Sequence, residues 1–156
     1  MWNLFSKKKT AIASPVSGKV IRLETVQDEA FSNGGMGTGF AVEFDGKTVV
    51  SPITGVVEMC FPTGHAFGLK AGELEVLIHI GIDTVELNGD GFHVRVKPND
   101  AVKKGDILVE VDAQYLKDKG YDPTTMVLFP NHNEIQLLEL NHVVEAGKDI
   151  ATCSNK

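Results

Sequence analysis

Cysteine is scarce in this chain of 156 residues: there are two, Cys60 and Cys153. They form no metal-type spacing, and so sparse a pair reads as reduced thiols of a cytoplasmic protein. Positive charge is also short. Fifteen Lys and Arg stand against 21 Asp and Glu, a formal net charge of −6. Nucleic-acid binding, which relies on a basic face that displaces counterions, is therefore disfavoured. No apolar run approaches the ~20 residues of a membrane-spanning helix. The N-terminus carries its lysines after its apolar residues, the reverse of a secretory signal. No long stretch keeps a helical period, so the core is left to strands.

What the chain does contain is punctuation. Its 16 glycines and 6 prolines fall between short β-branched runs, the pattern of strands joined by turns. Strands are expected at residues 19–24, 39–44, 47–50, 55–61, 65–69, 74–80, 93–96, 107–111 and 125–129. One short helix is expected at 113–119, capped by Asp112 and ended by Gly120. The fold class is all-β: a compact antiparallel sandwich or barrel with at most one or two short helices. Ser14-Pro15-Val16-Ser17-Gly18 is echoed by Ser51-Pro52-Ile53-Thr54-Gly55. Looser echoes follow at Val102–Ile107 and Val144–Ile150. Repeated turn-plus-strand units imply two similar halves packed face to face. Residues 1–10 read as a flexible tail, and 11–156 as one domain of ordinary size. In the tail, Trp2, Leu4 and Phe5 precede Lys7, Lys8 and Lys9, a composition suited to weak contact with an anionic membrane surface.

Chemistry concentrates around two of the five histidines. His65 lies in Thr63-Gly64-His65-Ala66-Phe67 and His79 in Leu77-Ile78-His79-Ile80-Gly81. If Ala71-Gly72-Glu73 is a three-residue hairpin loop, His65 opposes His79 and Phe67 opposes Leu77. The two rings then share a face, because opposed residues lie about 4.5–5.5 Å apart at Cβ. A two-residue loop would put them on opposite faces. Paired imidazoles fit three roles: a nucleophile with a hydrogen-bond donor, two ligands of a zinc ion, or a neutral structural pair. Imidazole accepts a phosphoryl group well, being largely neutral at pH 7 with one ring nitrogen unprotonated. A neighbouring donor would stabilise the passing oxygens. Thr63 stands where its hydroxyl can orient His65. His93, His132 and His142 match no such pattern and read as solvated or structural.

Gly64-His65-Ala66-Phe67, the run His79–Leu87 and the following Gly89-Asp90-Gly91-Phe92 resemble the signature of the glucose-type enzyme IIA of the bacterial phosphoenolpyruvate:sugar phosphotransferase system. The likeness extends over about residues 12–131. It implies a barrel-sandwich hybrid in which His79 takes a phosphoryl group from the histidine phosphocarrier protein and passes it to a cysteine of an enzyme IIB domain of a sugar permease. It further implies that His65 supports the transfer and Thr63 orients His65. Asp28 and Asp83 match acidic flanking positions, and Phe31, Met36, Phe61 and Val85 match an apolar docking ring. No cofactor is implied, although zinc shared with a partner protein could use His65 and His79. A metal-dependent hydrolase on a similar scaffold competes, with Asp83 as third ligand, but the expected His-x-His is absent because Gly81 follows His79 by two. A biotin or lipoate carrier fits the Val102–Ile107 turn but lacks a lysine at a suitable hairpin tip.

Overall fold

The computed structural model describes Lys9–Ser154. Fourteen strands and two short helices are present there, as the density of turn residues predicts. An eight-stranded antiparallel sheet runs in the order β13 (Val143–Val144), β2 (Gly18–Arg22), β3 (Thr38–Phe44), β11 (Thr125–Phe129), β7 (Leu74–Ile80), β6 (Ala66–Ala71), β5 (Gly55–Cys60), β9 (Ala101–Val102). Two three-stranded sheets complete the fold. One holds β1 (Lys9–Ala13), β14 (Asp149–Ser154) and β12 (Glu134–Leu137). The other holds β4 (Thr48–Val50), β10 (Ile107–Glu110) and β8 (His93–Val94). The sheets do not close into a barrel, so the sandwich description holds. Among the described residues no helix is long and apolar enough to cross a membrane.

The echoed turns account for the two halves. In each, the serine hydroxyl donates to the carbonyl two residues on: Ser14 to Val16 and Ser51 to Ile53, both at 2.6 Å. The turns also bond to one another, Ala13 N–H to the Pro52 carbonyl and Val50 N–H to the Pro15 carbonyl. Each serine carbonyl accepts from a glycine of a looser echo, Gly147 for Ser14 and Gly105 for Ser51. These reciprocal bonds satisfy buried backbone groups that would otherwise cost free energy. Between the layers lies one large core with Phe40, Phe44, Phe67 and Phe129 fully buried. A smaller cluster of Leu23, Val26, Phe31, Ala41, Met126 and Leu128 forms on the outer side.

Several boundaries differ from the sequence expectation. Lys9 and Thr10, assigned to the tail, pair with Ser154 and Cys153 in β1. Trp2, Leu4, Phe5, Lys7 and Lys8 lie outside the described residues. Helix α2 (Ala113–Asp118) is capped by Asp112, whose side chain accepts from Gln114 N–H, and Gly120 follows at φ +90. Helix α1 (Glu29–Ser32) was not expected; Asp28 caps it by accepting the Ala30 N–H. The hairpin between the histidines has a two-residue loop, Gly72-Glu73. Ala71 therefore pairs with Leu74, Phe67 with Ile78, Gly68 with Leu77, and Ala66 with His79. Gly72 at φ +60 supplies the left-handed backbone that such tight loops need.

Candidate functional site

Strand β7 alternates strictly. Leu74, Val76, Ile78 and Ile80 enter the main core, while Glu75, Leu77 and His79 take the other face. The expected opposition of His65 and His79 is wrong, yet the rings meet, with centroids 5.1 Å apart and planes at 81°. The reason is that His65 is not in a strand. β6 begins at Ala66, and Gly64 just before His65 has φ +73. A residue in that bend is released from strict alternation, so its ring reaches over Ala66 to the His79 face. A methyl group on Gly64 would sit 2.8 Å from Val94 Cγ2, so this bend requires glycine. Phe67 belongs to the core and is not the floor of the site. Phe31 and Phe61 frame the pair instead, at 4.9 Å from His79 and 5.3 Å from His65.

Each imidazole is held by its Nδ1. Thr63 Oγ1 lies 2.5 Å from His65 Nδ1, the contact expected of Thr63. His79 Nδ1 lies 2.9 Å from the Gly81 carbonyl oxygen. A carbonyl can only accept, so His79 Nδ1 carries a proton. A neutral His79 then has its free lone pair on Nε2. Burial favours the neutral form of both rings. His65, only 3% exposed, has its pKa pushed down to about 4, first by burial and then by His79. Burial likewise lowers the His79 pKa, opposed by its bond to Gly81 and by the charges of Asp28 and Asp83. Both rings are therefore neutral at pH 7. The role of the Gly81 carbonyl was not anticipated from sequence; a glycine two residues after the histidine, ending the strand, was the available signal. Gly81 has φ +76, a conformation that costs other residues about 1–2 kcal/mol.

The surrounding surface is apolar with acidic edges. Met36, Phe61 and Val85, expected in the docking ring, are 38%, 40% and 48% exposed, and of the three Phe61 is in ring contact with His65. Phe31, expected in the same ring, is 6% exposed; it packs under the site as part of the small outer cluster. Asp28 is partly buried at the cap of α1 and Asp83 is exposed at φ 61. His93 is exposed, and so is His142, which contacts Glu139. His132 sits at φ 57 in a turn after β11. Among the described residues no group of three or more His, Cys, Asp or Glu could hold a metal ion. The three-ligand hydrolase arrangement with Asp83 is thus not formed.

The model of the family described as the phosphoenolpyruvate-dependent sugar phosphotransferase system, EIIA 1, matches residues 10–135. The glucose-specific EIIA component of Staphylococcus aureus (strain COL) is 38% identical over 143 residues, covering 89% of this chain and 86% of that protein. The beta-glucoside-specific EIIBCA component of Halalkalibacterium halodurans is 42% identical over 128 residues. That match covers 81% of this chain but only 20% of the relative. The chain thus spans about a fifth of the multidomain relatives it matches. The solved structure of glucose permease IIA from Mycoplasma capricolum superimposes with a TM-score of 0.87 at 33% identity, over 97% of this chain and 99% of that one. This chain therefore belongs to the EIIA 1 family of the phosphoenolpyruvate-dependent sugar phosphotransferase system, as a glucose-type EIIA and so a phosphotransferase component of sugar transport.

Proposed function

We propose that His79 Nε2 is the atom that carries the phosphoryl group, received from the histidine phosphocarrier protein and delivered to an enzyme IIB cysteine. The observation that carries this reading is the bond from His79 Nδ1–H to the Gly81 carbonyl at 2.9 Å. It fixes the proton on one nitrogen and leaves the other as nucleophile. In the first transfer a new P–N bond forms at Nε2 as the donor's P–N bond breaks, and the donor ring leaves neutral. The phosphorylated His79 ring keeps its Nδ1 proton and gains positive character. The Gly81 carbonyl, Asp28 and Asp83 all stabilise that charge. In the second transfer the cysteine thiolate forms an S–P bond while the Nε2–P bond breaks, and His79 returns neutral. Catalysis of this kind is positioning plus electrostatic stabilisation.

His65 supplies the stabilising donor. In this reading the Thr63 hydroxyl donates to Nδ1, which puts the single proton of neutral His65 on Nε2, available to a phosphoryl oxygen. Met36, Phe61 and Val85 form the apolar centre onto which donor and acceptor dock in turn, and Asp83 lies at its acidic edge. A carrier that must release both partners needs a small interface, near or below about 1,200 Å². The two free cysteines, Cys60 and Cys153, support a cytoplasmic setting. The imidazole pair fits half of a tetrahedral zinc site, so zinc binding would take further ligands from a partner. Incubation with phosphoenolpyruvate, enzyme I and the histidine carrier tests the reading: acid-labile label on wild type that disappears in His79→Ala supports it, and label retained by His79→Ala overturns it.

A further inference from the structure

The Gly81 carbonyl can direct the His79 proton only if its own peptide plane is fixed, and the fixing groups come from another strand. The Ile82 N–H, on the same peptide as the Gly81 carbonyl, donates to the Asp122 carbonyl at 2.9 Å. The Gly81 N–H, on the preceding peptide, donates to the Thr124 carbonyl at 3.1 Å. Both peptides flanking Gly81 are thus clamped by the turn that leads into β11. Side chains hold that turn, with the Thr125 hydroxyl donating to the Pro123 carbonyl at 3.1 Å and the Asp122 carboxylate accepting twice. Asp122 Oδ1 accepts from Thr124 N–H at 2.9 Å and from Thr124 Oγ1 at 2.7 Å, with Pro123 locking φ between them. Side-chain bonds of this kind pin short turns. Space around the clamp is tight: a methyl group on Gly81 would lie 3.2 Å from the Asp122 carbonyl oxygen.

We infer that Asp122 is a positioning residue for the phosphoryl acceptor, acting through the Asp122–Ile82 and Thr124–Gly81 backbone bonds to hold the Gly81 carbonyl against His79 Nδ1. A hydrogen-bonded line runs from the Asp122 carbonyl through the Gly81–Ile82 peptide to the imidazole. Bonds in such a line polarise one another. Asp122 touches neither His79 nor any reacting atom, and its side chain lies at the surface. The inference rests on His79 being the acceptor only for its effect on transfer; its effect on the ring proton stands independently.

The test uses Asp122→Ala, Asp122→Asn and Thr124→Val in the full chain, with nitrogen-15 histidine spectra read at pH 7.5 and phosphoryl transfer measured alongside. In wild type, His79 is expected to be protonated at Nδ1. In Asp122→Ala, and more mildly in Thr124→Val, part of the population moves its proton to Nε2. Transfer falls about 10-fold or more, by analogy with metal-binding histidines, whose outer partners are worth about 10- to 100-fold. Asp122→Asn keeps an acceptor oxygen and restores both readouts. His65 spectra serve as the internal control and stay unchanged. If folded Asp122→Ala and Thr124→Val keep the His79 proton on Nδ1, the inference is overturned. If Asp122→Ala does not fold, Thr124→Val decides alone. A moved proton with wild-type transfer supports the positioning role while counting against His79 as the acceptor.

Discussion

Replacing Gly81 by alanine isolates the geometric core of the site. Two penalties follow from the structure. The residue sits at φ +76, where a side chain costs about 1–2 kcal/mol. The added methyl would also stand 2.5 Å from Thr84 Cγ2, closer than real contacts allow. Thr84 is fully buried and its hydroxyl donates to the Ile80 carbonyl, so it cannot swing into solvent. Displacing it forfeits a hydrogen bond worth about 0.5–1.5 kcal/mol. The sum is about 1.5–3.5 kcal/mol, which for a domain of this size lowers Tm by roughly 3–14 °C. The Gly81 carbonyl must move as the strain relaxes, and His79 loses its acceptor. Gly72→Ala is the matched control. Gly72 has φ +60 but nothing within 4 Å of the added methyl, so it should lose only about 1–2 kcal/mol and transfer phosphate normally. Thermal melts and donor-to-IIB transfer rates of both variants are the assay. Equal melts and equal transfer in the two would refute the claim that the Gly81 turn holds the nucleophile.

Three further outcomes are predicted. His65→Gln should fold normally and lose transfer rate by up to about 10²–10³, the usual effect of losing one transition-state donor, with part retained through the Gln amide; a wild-type rate would make His65 a bystander. Because the folded-state pKa of His65 is about 4 against about 6.5 when unfolded, the unfolded chain binds more protons between those values. Stability should thus be full above about pH 6.5 and fall as pH drops towards 4, with a smaller fall in His65→Gln; denaturant melts across this range check it. Phe61→Arg should leave Tm within a few degrees, since the side chain is 40% exposed, and weaken binding to both donor and acceptor in titrations, whereas a collapse in Tm would make Phe61 a core residue.

The all-β class was legible because turn chemistry is local. Ser14 and Ser51 sit in matching turns that bond as the echo implies. Strands β7 and β11 were located to the residue because β7 alternates between core and outer faces and β11 is a nearly continuous apolar run, each bounded by turn signals. The edges were less legible. β12, with the sequence Glu-Ile-Gln-Leu, and the two-residue β9 and β13 are defined by partners distant in sequence. The histidine pair was found by a register that does not exist. The loop has two residues, not three, and the bend at Gly64 restores the contact that the shorter loop would have broken. The proton on His79 was not anticipated, because it is fixed by the backbone carbonyl of Gly81, whose one sequence signal is the glycine two residues after the histidine.

The central claim is that Nε2 of His79 is the phosphoryl acceptor, and phosphorus-31 and nitrogen-15 spectra of the protein phosphorylated by the histidine carrier test it directly. The account predicts one phosphoramidate signal, coupled to His79 Nε2, with Nδ1 still protonated, and loss of that signal on addition of an enzyme IIB domain. Phosphate on His79 Nδ1, on His65 or on any other side chain would contradict it.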